Sequence, residues 1–175
     1  HRGHLPADRC LMKYDFITQL KRGHEGEAFL DALFGEEFLI VEPRGAQRSG
    51  YDRLFQPRDH SRASFTVEYK TDQTAARTNN AFVETVSVDS AGKIGWALTS
   101  QADYLAYYIP DPLALVYMVP FGDLRARLER WQSEYPMRSV RNDGYLTKGL
   151  LVPLAEFEEI AEAVIDVSCE EGRQP

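Results

Sequence analysis

The chain has 175 residues, of which 43% are hydrophobic and 11% aromatic, and its formal net charge is −7. A chain of this size and composition is long enough for one compact domain with a single core. It contains no apolar run of about 18 residues, so we predict no membrane-spanning helix.

The first half of the chain predicts a helix followed by three strands. Apolar residues at helical spacing indicate a helix over residues 15–34, ended by Gly35. Short apolar or alternating runs then indicate strands at residues 37–41, 51–56 and 64–71. In the third strand Phe65, Val67 and Tyr69 share one face, and Glu68 and Lys70 share the other.

The second half predicts further strands and two longer helices. Asp123 is expected to cap a helix whose Leu124, Leu128 and Trp131 face the core. The remaining elements are a polar loop at 72–80, a strand at 81–88, a short helix at 93–100, strands at 103–109 and 113–119, a loop at 135–149, a strand at 150–152 and an acidic helix at 154–167. This order predicts an α/β fold with a mixed central sheet flanked by helices.

The cysteines and the start of the chain bear on localisation. Cys10 and Cys169 lie near opposite ends, without C-x-x-C spacing or a disulfide framework, which is typical of a reducing compartment. No secretory leader is recognisable, so we expect a cytoplasmic protein. Residues 1–11 differ from the periodic chain and are interpreted as a leader or cloning-derived residues before a single domain of residues 12–175.

Charge is distributed unevenly along the chain. Residues 154–175 hold seven acids and one base, whereas residues 43–62 hold five arginines and two aspartates. A locally basic surface can attract a polyanion even on an acidic protein, although solvated loop arginines give the same pattern. The candidates for DNA binding are Arg44, Arg48, Arg53, Arg58 and Arg62.

Glu27 is the first candidate for chemistry. It lies seven residues after Leu20 and three before Leu30, so it falls near the middle of the predicted apolar stripe. Burying an unpaired carboxylate costs several kcal/mol, so roughly that penalty would have to be offset by a partner or a metal. The alternative is that the helix breaks at Gly26 and Glu27 points to water.

Asp52, Glu68 and Lys70 form the second candidate group. Glu68 and Lys70 are two residues apart and project from one strand face, while Asp52 lies sixteen positions earlier on a strand that can form a hairpin with theirs. Two carboxylates brought close together repel unless a cation lies between them. Mg²⁺ is bound by one or two carboxylates and keeps several waters, and a bound cation of this kind acidifies water for attack on phosphorus.

These residues resemble the PD-(D/E)XK nuclease superfamily, whose core is α-β-β-β-α-β. A helix with Glu27, then Asp52, then Glu68-x-Lys70 follows the order of that family. The run at residues 78–84 (TNNAFVE), the run at 92–96 (GKIGW) and Ala102-Asp103-Tyr104 are similar to a phage and bacterial branch of it. The chain departs from the pattern at Tyr51, where proline is common, and at Trp96, where the branch has a smaller residue.

The resemblance implies a Mg²⁺- or Mn²⁺-dependent nuclease that hydrolyses DNA phosphodiester bonds in restriction, repair, recombination or phage DNA processing. It implies that Asp52, Glu68 and the backbone carbonyl of Tyr69 bind the metal, that Lys70 is the catalytic lysine and that Glu27 supports the metal or its water. The alternative function is a catalytically silent module that binds nucleic acid or a protein. A homodimer is left open.

Glu84 is a second-tier candidate. It shares a predicted strand face with the apolar Phe82 and Val86, so it too is expected to be a carboxylate on an apolar face. Binding of a second metal and a salt bridge to Arg77 are both compatible with that position.

Overall fold

The computed structural model describes residues 26–45, 49–88, 91–142 and 145–168. The helices are α1 Gly26–Phe34, α2 Ala75–Thr78, α3 Trp96–Thr99, α4 Phe121–Glu134 and α5 Leu154–Ile160. The strands are β1 Phe38–Val41, β2 Arg53–Pro57, β3 Phe65–Thr71, β4 Asn80–Val88, β5 Lys93–Ile94, β6 Tyr104–Ile109, β7 Leu115–Pro120, β8 Met137–Asn142, β9 Tyr145–Pro153 and β10 Ala163–Asp166. The protein is therefore mixed α/β.

Sheet A is a six-stranded mixed sheet in the order β1-β2-β3-β6-β7-β10. Strands β1, β2 and β3 form an antiparallel meander, and β3 pairs in parallel with β6. Strand β7 then pairs antiparallel with both β6 and β10. The parallel pair requires a long crossover, and the chain between β3 and β6 supplies it with α2, β4, β5 and α3.

Sheet B is a four-stranded antiparallel sheet in the order β5-β4-β9-β8. Its central pair joins β4, from the crossover, to β9, from the C-terminal part of the chain. One face of this sheet is buried: Ala81, Val83, Leu150 and Val152 belong to the core beneath α4 and α5. The other face remains available to line a cleft.

Two apolar clusters lie on opposite sides of sheet A. On one side, α1 packs Phe29, Leu30 and Leu33 against the odd-numbered residues of β3. On the other side, Trp131 of α4 and Phe157 of α5 pack with stacked rings over Tyr107 of β6. Burial of apolar surface on both faces holds sheet A between these layers and fixes the ends of β2 and β3.

Several predicted elements are confirmed. Strands β1, β3 and β4 agree with prediction within about one residue, and Leu124, Leu128 and Trp131 are buried as expected. The mixed α/β class is also confirmed. The predicted helix is observed from Gly26, and its expected part at residues 15–25 lies outside the described residues, as do residues 1–11.

Four predictions are wrong. Residues 135–149 are not a loop but contain β8 and the start of β9, and the predicted acidic helix ends at Ile160, before β10. Strand β8 was not predicted because it is an exposed edge strand without an apolar face. Strand β10 forms because it pairs with β7. The predicted loop at 72–80 contains α2, and the predicted helix at 93–100 is divided into β5 and α3.

Helix α4 begins two residues before the predicted cap. Asp123 does not cap α4, because the helix begins at Phe121 and Pro120 precedes it as the N-cap residue. Asp123 lies in the first turn instead, where its negative charge interacts favourably with the positive end of the helix dipole. Among the described helices, none combines the length and the apolar character that crossing a membrane requires.

Candidate active site

The β2–β3 hairpin brings Asp52 beside the middle of β3, as predicted. Asp52 lies directly before β2, and its backbone N–H donates to the carbonyl of Val67 at 3.1 Å. Its Oδ2 accepts the backbone N–H of Tyr69 at 2.8 Å. The carboxylate is thus fixed next to Glu68 by two backbone hydrogen bonds of the neighbouring strand.

Glu68 is a buried carboxylate, with 8% of the residue exposed. The Lys70 ammonium donates to its Oε1 at 2.8 Å, and the Ser100 hydroxyl donates to its Oε2 at 3.2 Å. Burial raises the pKa of Glu68, the nearby charge of Asp52 adds to the rise, and Lys70 and Ser100 oppose it. A further positive charge beside Glu68 would favour its ionised form.

Ser100 is a site residue that the sequence reasoning missed. It is buried directly after α3, and its hydroxyl lies within hydrogen-bonding distance of both Glu68 and the carbonyl of Gly50. The N–H of Gln101 also donates to that carbonyl, at 2.7 Å. Ser100 therefore connects Glu68 to the segment that carries Asp52. No sequence motif marks it, because the contact joins the end of α3 to β3, which are distant in the sequence.

Glu27 does not occupy the position predicted for it. It lies in the first turn of α1, its side chain is 51% exposed, and it forms an ion pair of 3.1 Å with Arg53. The expectation of a buried carboxylate is wrong, because the buried side of α1 is formed by Phe29, Leu30, Leu33 and Phe34. Among the described contacts, the link between Glu27 and the site is indirect. Glu27 pairs with Arg53, and the Arg53 Nη1 donates to the Asp52 carbonyl at 2.9 Å.

Arg53 is a structural residue and not an exposed DNA-binding arginine. It is 6% exposed, its Nε donates to Asp31 at 3.0 Å, and its guanidinium lies 5.3 Å from the centre of the Tyr69 ring. The carboxylates raise the pKa of Arg53 above its ordinary value, although burial acts in the opposite direction. The guanidinium therefore joins α1 to the start of β2.

Two of the other predicted arginines contact the protein itself. Arg62 lies over the ring of Phe65 and pairs with Glu162 at 3.7 Å, and Arg58 donates to the carbonyl of Gly35 at 3.1 Å. Arg44 is exposed, whereas Arg48 lies outside the described residues. Of the predicted DNA-binding arginines in the described residues, Arg53 is buried, whereas Arg44, Arg58 and Arg62 are exposed and remain candidates.

The donor set suits a hard cation. In the described part of the chain, no three or more His, Cys, Asp or Glu side chains are grouped so that they could hold a metal ion. The Asp52 carboxylate is nevertheless bonded to the residue after Glu68, and its charge acts on Glu68. Mg²⁺ is commonly bound by one or two carboxylates with water completing its coordination. The side chain of Tyr69 points to the other face and donates to Asp31 at 3.0 Å, so only its carbonyl remains a predicted ligand.

A cleft of about 710 Å³ adjoins this site. The last residues of β3, including Lys70, form one wall, and the face of sheet B opposite the core forms the other. We call it the sheet B cleft. Glu84 is half-buried on its wall together with Phe82, with which it was predicted to share a face. The core face of β4 is the opposite one, formed by Ala81 and Val83. Within the described residues, no ion pair joins Glu84 to Arg77.

Gly95, Asp103 and Asp72 connect the strands around the carboxylate pair. Gly95 begins α3 against β4, and a Cβ there would lie 2.4 Å from the carbonyl oxygen of Glu84, so only glycine fits. The Asp103 carboxylate accepts the N–H of Thr66 at 2.8 Å and ties β6 to β3. Asp72 accepts the hydroxyl of Tyr107 at 2.5 Å and ties the end of β3 to the next strand.

Comparison with known proteins gave no relative from which a function could be transferred. No family model, no curated protein and no solved structure matches the chain. A functional interpretation therefore depends on the geometry of Asp52, Glu68, Lys70 and their surroundings.

Proposed function

We propose that the protein is a divalent-metal-dependent nuclease of the PD-(D/E)XK type that hydrolyses DNA phosphodiester bonds. The observation that carries the proposal is the convergence of two carboxylates and an ammonium group from distant positions in the sequence. Asp52 is fixed on the backbone of Tyr69, Glu68 is buried beside it, and Lys70 lies 2.8 Å from Glu68. A purely structural ion pair would not need the second carboxylate.

The order of elements supports the same proposal. Helix α1 precedes the antiparallel meander β1–β2–β3, and β6 lies parallel beside β3. This arrangement is compatible with the α-β-β-β-α-β core of the family, with the crossover region enlarged by two strands of sheet B. Asp52 directly precedes the second strand and Glu68 lies in the third, an order compatible with the one that the resemblance implies.

Each residue has a distinct role in the proposed reaction. Asp52 and Glu68 would hold the divalent cation, which neutralises charge on the phosphate and lowers the pKa of water. Lys70 and Ser100 favour the ionised form of Glu68 against the effect of burial. The Lys70 ammonium also lines the sheet B cleft, where it can donate to a phosphate oxygen as negative charge builds on it.

The test is cleavage of defined DNA by the purified full chain. Supercoiled plasmid, a single-stranded oligonucleotide and a duplex of the same sequence are incubated with Mg²⁺, Mn²⁺ or EDTA. We expect cleavage with either metal and none with EDTA. Glu68→Ala should reduce cleavage to background. Glu129→Ala, which changes an exposed glutamate on α4, is the matched control and should cleave like wild type.

Two results would contradict the proposal. Equal cleavage by wild type and Glu68→Ala would remove the assigned site, and cleavage that persists in EDTA would remove the dependence on a metal. Tight DNA binding without cleavage under any of these conditions would favour the alternative of a silent binding module.

A further inference from the structure

The register of sheet B defines a surface that the proposed chemistry does not use. Glu84 on β4, Gly149 on β9 and Arg138 on β8 lie in one row across the sheet. Val140 is two residues from Arg138 and therefore shares its face, and both residues line the sheet B cleft. The cleft wall is thus a continuous face of three strands.

Two cations stand at opposite edges of this face. Lys93 is on the edge strand β5 and Arg138 is on the edge strand β8, and both are exposed. Neither forms an ion pair with any residue that the structure describes. Three strand spacings separate the two edges, roughly 14 Å. One phosphate group is too small to contact both cations, so the pattern favours an anion with several phosphates.

Apolar side chains line the same cleft as these cations. Ile94 is 53% exposed and Val140 is 46% exposed, and the rings of Phe82 and Trp96 line the same cleft. The ring of Phe82 lies over Gly149, where a Cβ would approach it to 2.7 Å. An apolar surface beside unpaired cations suits a ligand that has flat apolar faces as well as phosphates.

The two carboxylates that line the cleft form no ion pair with Lys93 or Arg138 in the described residues. The Asp72 carboxylate accepts hydrogen bonds from the N–H of Ala75, the N–H of Phe82 and the hydroxyl of Tyr107, so it is occupied by the protein itself. Glu84 is half-buried in the wall. Lys93 and Arg138 are therefore the cleft cations that an incoming anion meets without an ion pair to any described residue, whereas Lys70 is paired with Glu68.

Single-stranded DNA has the required combination of groups. Its bases can leave the stack and lie on aromatic side chains, while its phosphates contact lysine and arginine. In a duplex the base faces are covered by neighbouring base pairs, and the apolar part of the cleft would find no partner.

We propose that the open face of sheet B binds a single-stranded segment of DNA and leads it to Lys70. Lys93 and Arg138 bind phosphates, and Phe82, Trp96, Ile94 and Val140 contact bases. We call this binding surface, the open face of sheet B, the platform. The identity of the ligand as DNA rests on the proposed nuclease function, whereas the platform rests on the register and exposure of sheet B.

The test measures binding without cleavage. Fluorescence anisotropy in EDTA compares a labelled 20-nucleotide oligothymidylate, a duplex of equal length and an abasic strand of equal length, over a series of salt concentrations. We expect the order oligothymidylate, abasic strand, duplex from tightest to weakest. The double variant Lys93→Ala/Arg138→Ala should lower the slope of log K against log salt by about 1.4, since each phosphate contact on a single strand contributes roughly 0.7.

Arg141→Ala is the matched control. Arg141 is an exposed arginine on the same strand β8, but it lies on the opposite face from Arg138. Its removal should leave the salt slope unchanged. Both kinds of variant change exposed side chains, so each should fold, and circular dichroism checks this.

The outcomes separate this inference from the proposed function. Equal affinity for the single strand and the duplex, or equal salt slopes for the double variant and Arg141→Ala, would overturn the platform even if metal-dependent cleavage is observed. Equal affinity for the oligothymidylate and the abasic strand would overturn the base contacts. Single-strand binding that depends on Arg138, without cleavage in any metal, would support the platform and contradict the nuclease proposal.

Discussion

Replacement of Arg53 by methionine should destabilise the fold substantially. Arg53 is buried, and its nitrogens donate to Asp31, Glu27 and the carbonyl of Asp52 at 2.9–3.1 Å. Methionine fills much of the same volume but donates no hydrogen bond. The variant therefore isolates the polar contribution of Arg53 from its packing.

The expected loss follows from the exposure of the partners. A hydrogen bond to a charged group contributes about 1.5–3 kcal/mol when sheltered, but an exposed ion pair contributes only about 0–1 kcal/mol. The side chains of Glu27 and Asp31 are 51% and 37% exposed, so water solvates them again when Arg53 is removed. We assign about 1 kcal/mol to each of the three bonds, a total of about 3 kcal/mol.

Urea unfolding measures this loss. For a chain of 175 residues the same change should lower Tm by roughly 6–12 °C. Arg58→Met is the matched control, because Arg58 is exposed and donates to the carbonyl of Gly35, and it should cost about 1 kcal/mol or less. If Arg53→Met is no less stable than Arg58→Met, the buried hydrogen bonds by which Arg53 joins α1 to Asp52 do not stabilise the fold.

Three further predictions concern the site and the core. Lys70→Met should reduce the cleavage rate by about 100-fold or more while leaving single-strand affinity in EDTA within about threefold, and a parallel loss of both would contradict its catalytic role. Ser100→Ala should raise the pKa of Glu68 and move the acid limb of the pH–rate profile to higher pH. Ser100→Thr keeps the hydroxyl and should leave the profile unchanged. A profile of Ser100→Ala identical to that of wild type would refute the contact between Ser100 and Glu68. Arg130, with help from Trp131 and Tyr135, lowers the pKa of Glu156 to about 2, so this group stabilises the fold at neutral pH and the stabilisation disappears as pH falls from about 4.5 towards 2. Urea midpoints of Glu156→Gln should therefore approach those of wild type over that range, and a constant difference would argue against the depressed pKa.

The strands that carry the site could be predicted because they bury a periodic set of residues. Phe65, Val67 and Tyr69 alternate in the sequence and are buried on one face of β3, which places Glu68 and Lys70 on the other. The proximity of Asp52 followed from a short antiparallel hairpin. Such local pairing is visible in sequence because it needs no knowledge of distant elements.

The surroundings of the site could not be predicted in the same way. The contacts of Ser100 with Glu68 and of Arg53 with Asp31 join residues 32 and 22 positions apart and depend on where α3 and α1 pack in the fold. Strand β8 was missed because an edge strand with exposed Met137 and Val140 lacks the alternation of a half-buried strand. The cleft that depends on β8 was missed with it.

The most direct test of the central claim is the position of a bound divalent ion. Crystals of the full chain soaked in Mn²⁺ would give an anomalous difference peak at the metal. The account predicts one peak within coordination distance of carboxylate oxygens of both Asp52 and Glu68, and its absence in Glu68→Ala. A peak confined to other acids, or no peak at these two carboxylates at saturating Mn²⁺, would contradict the claim that they form a metal-dependent catalytic centre.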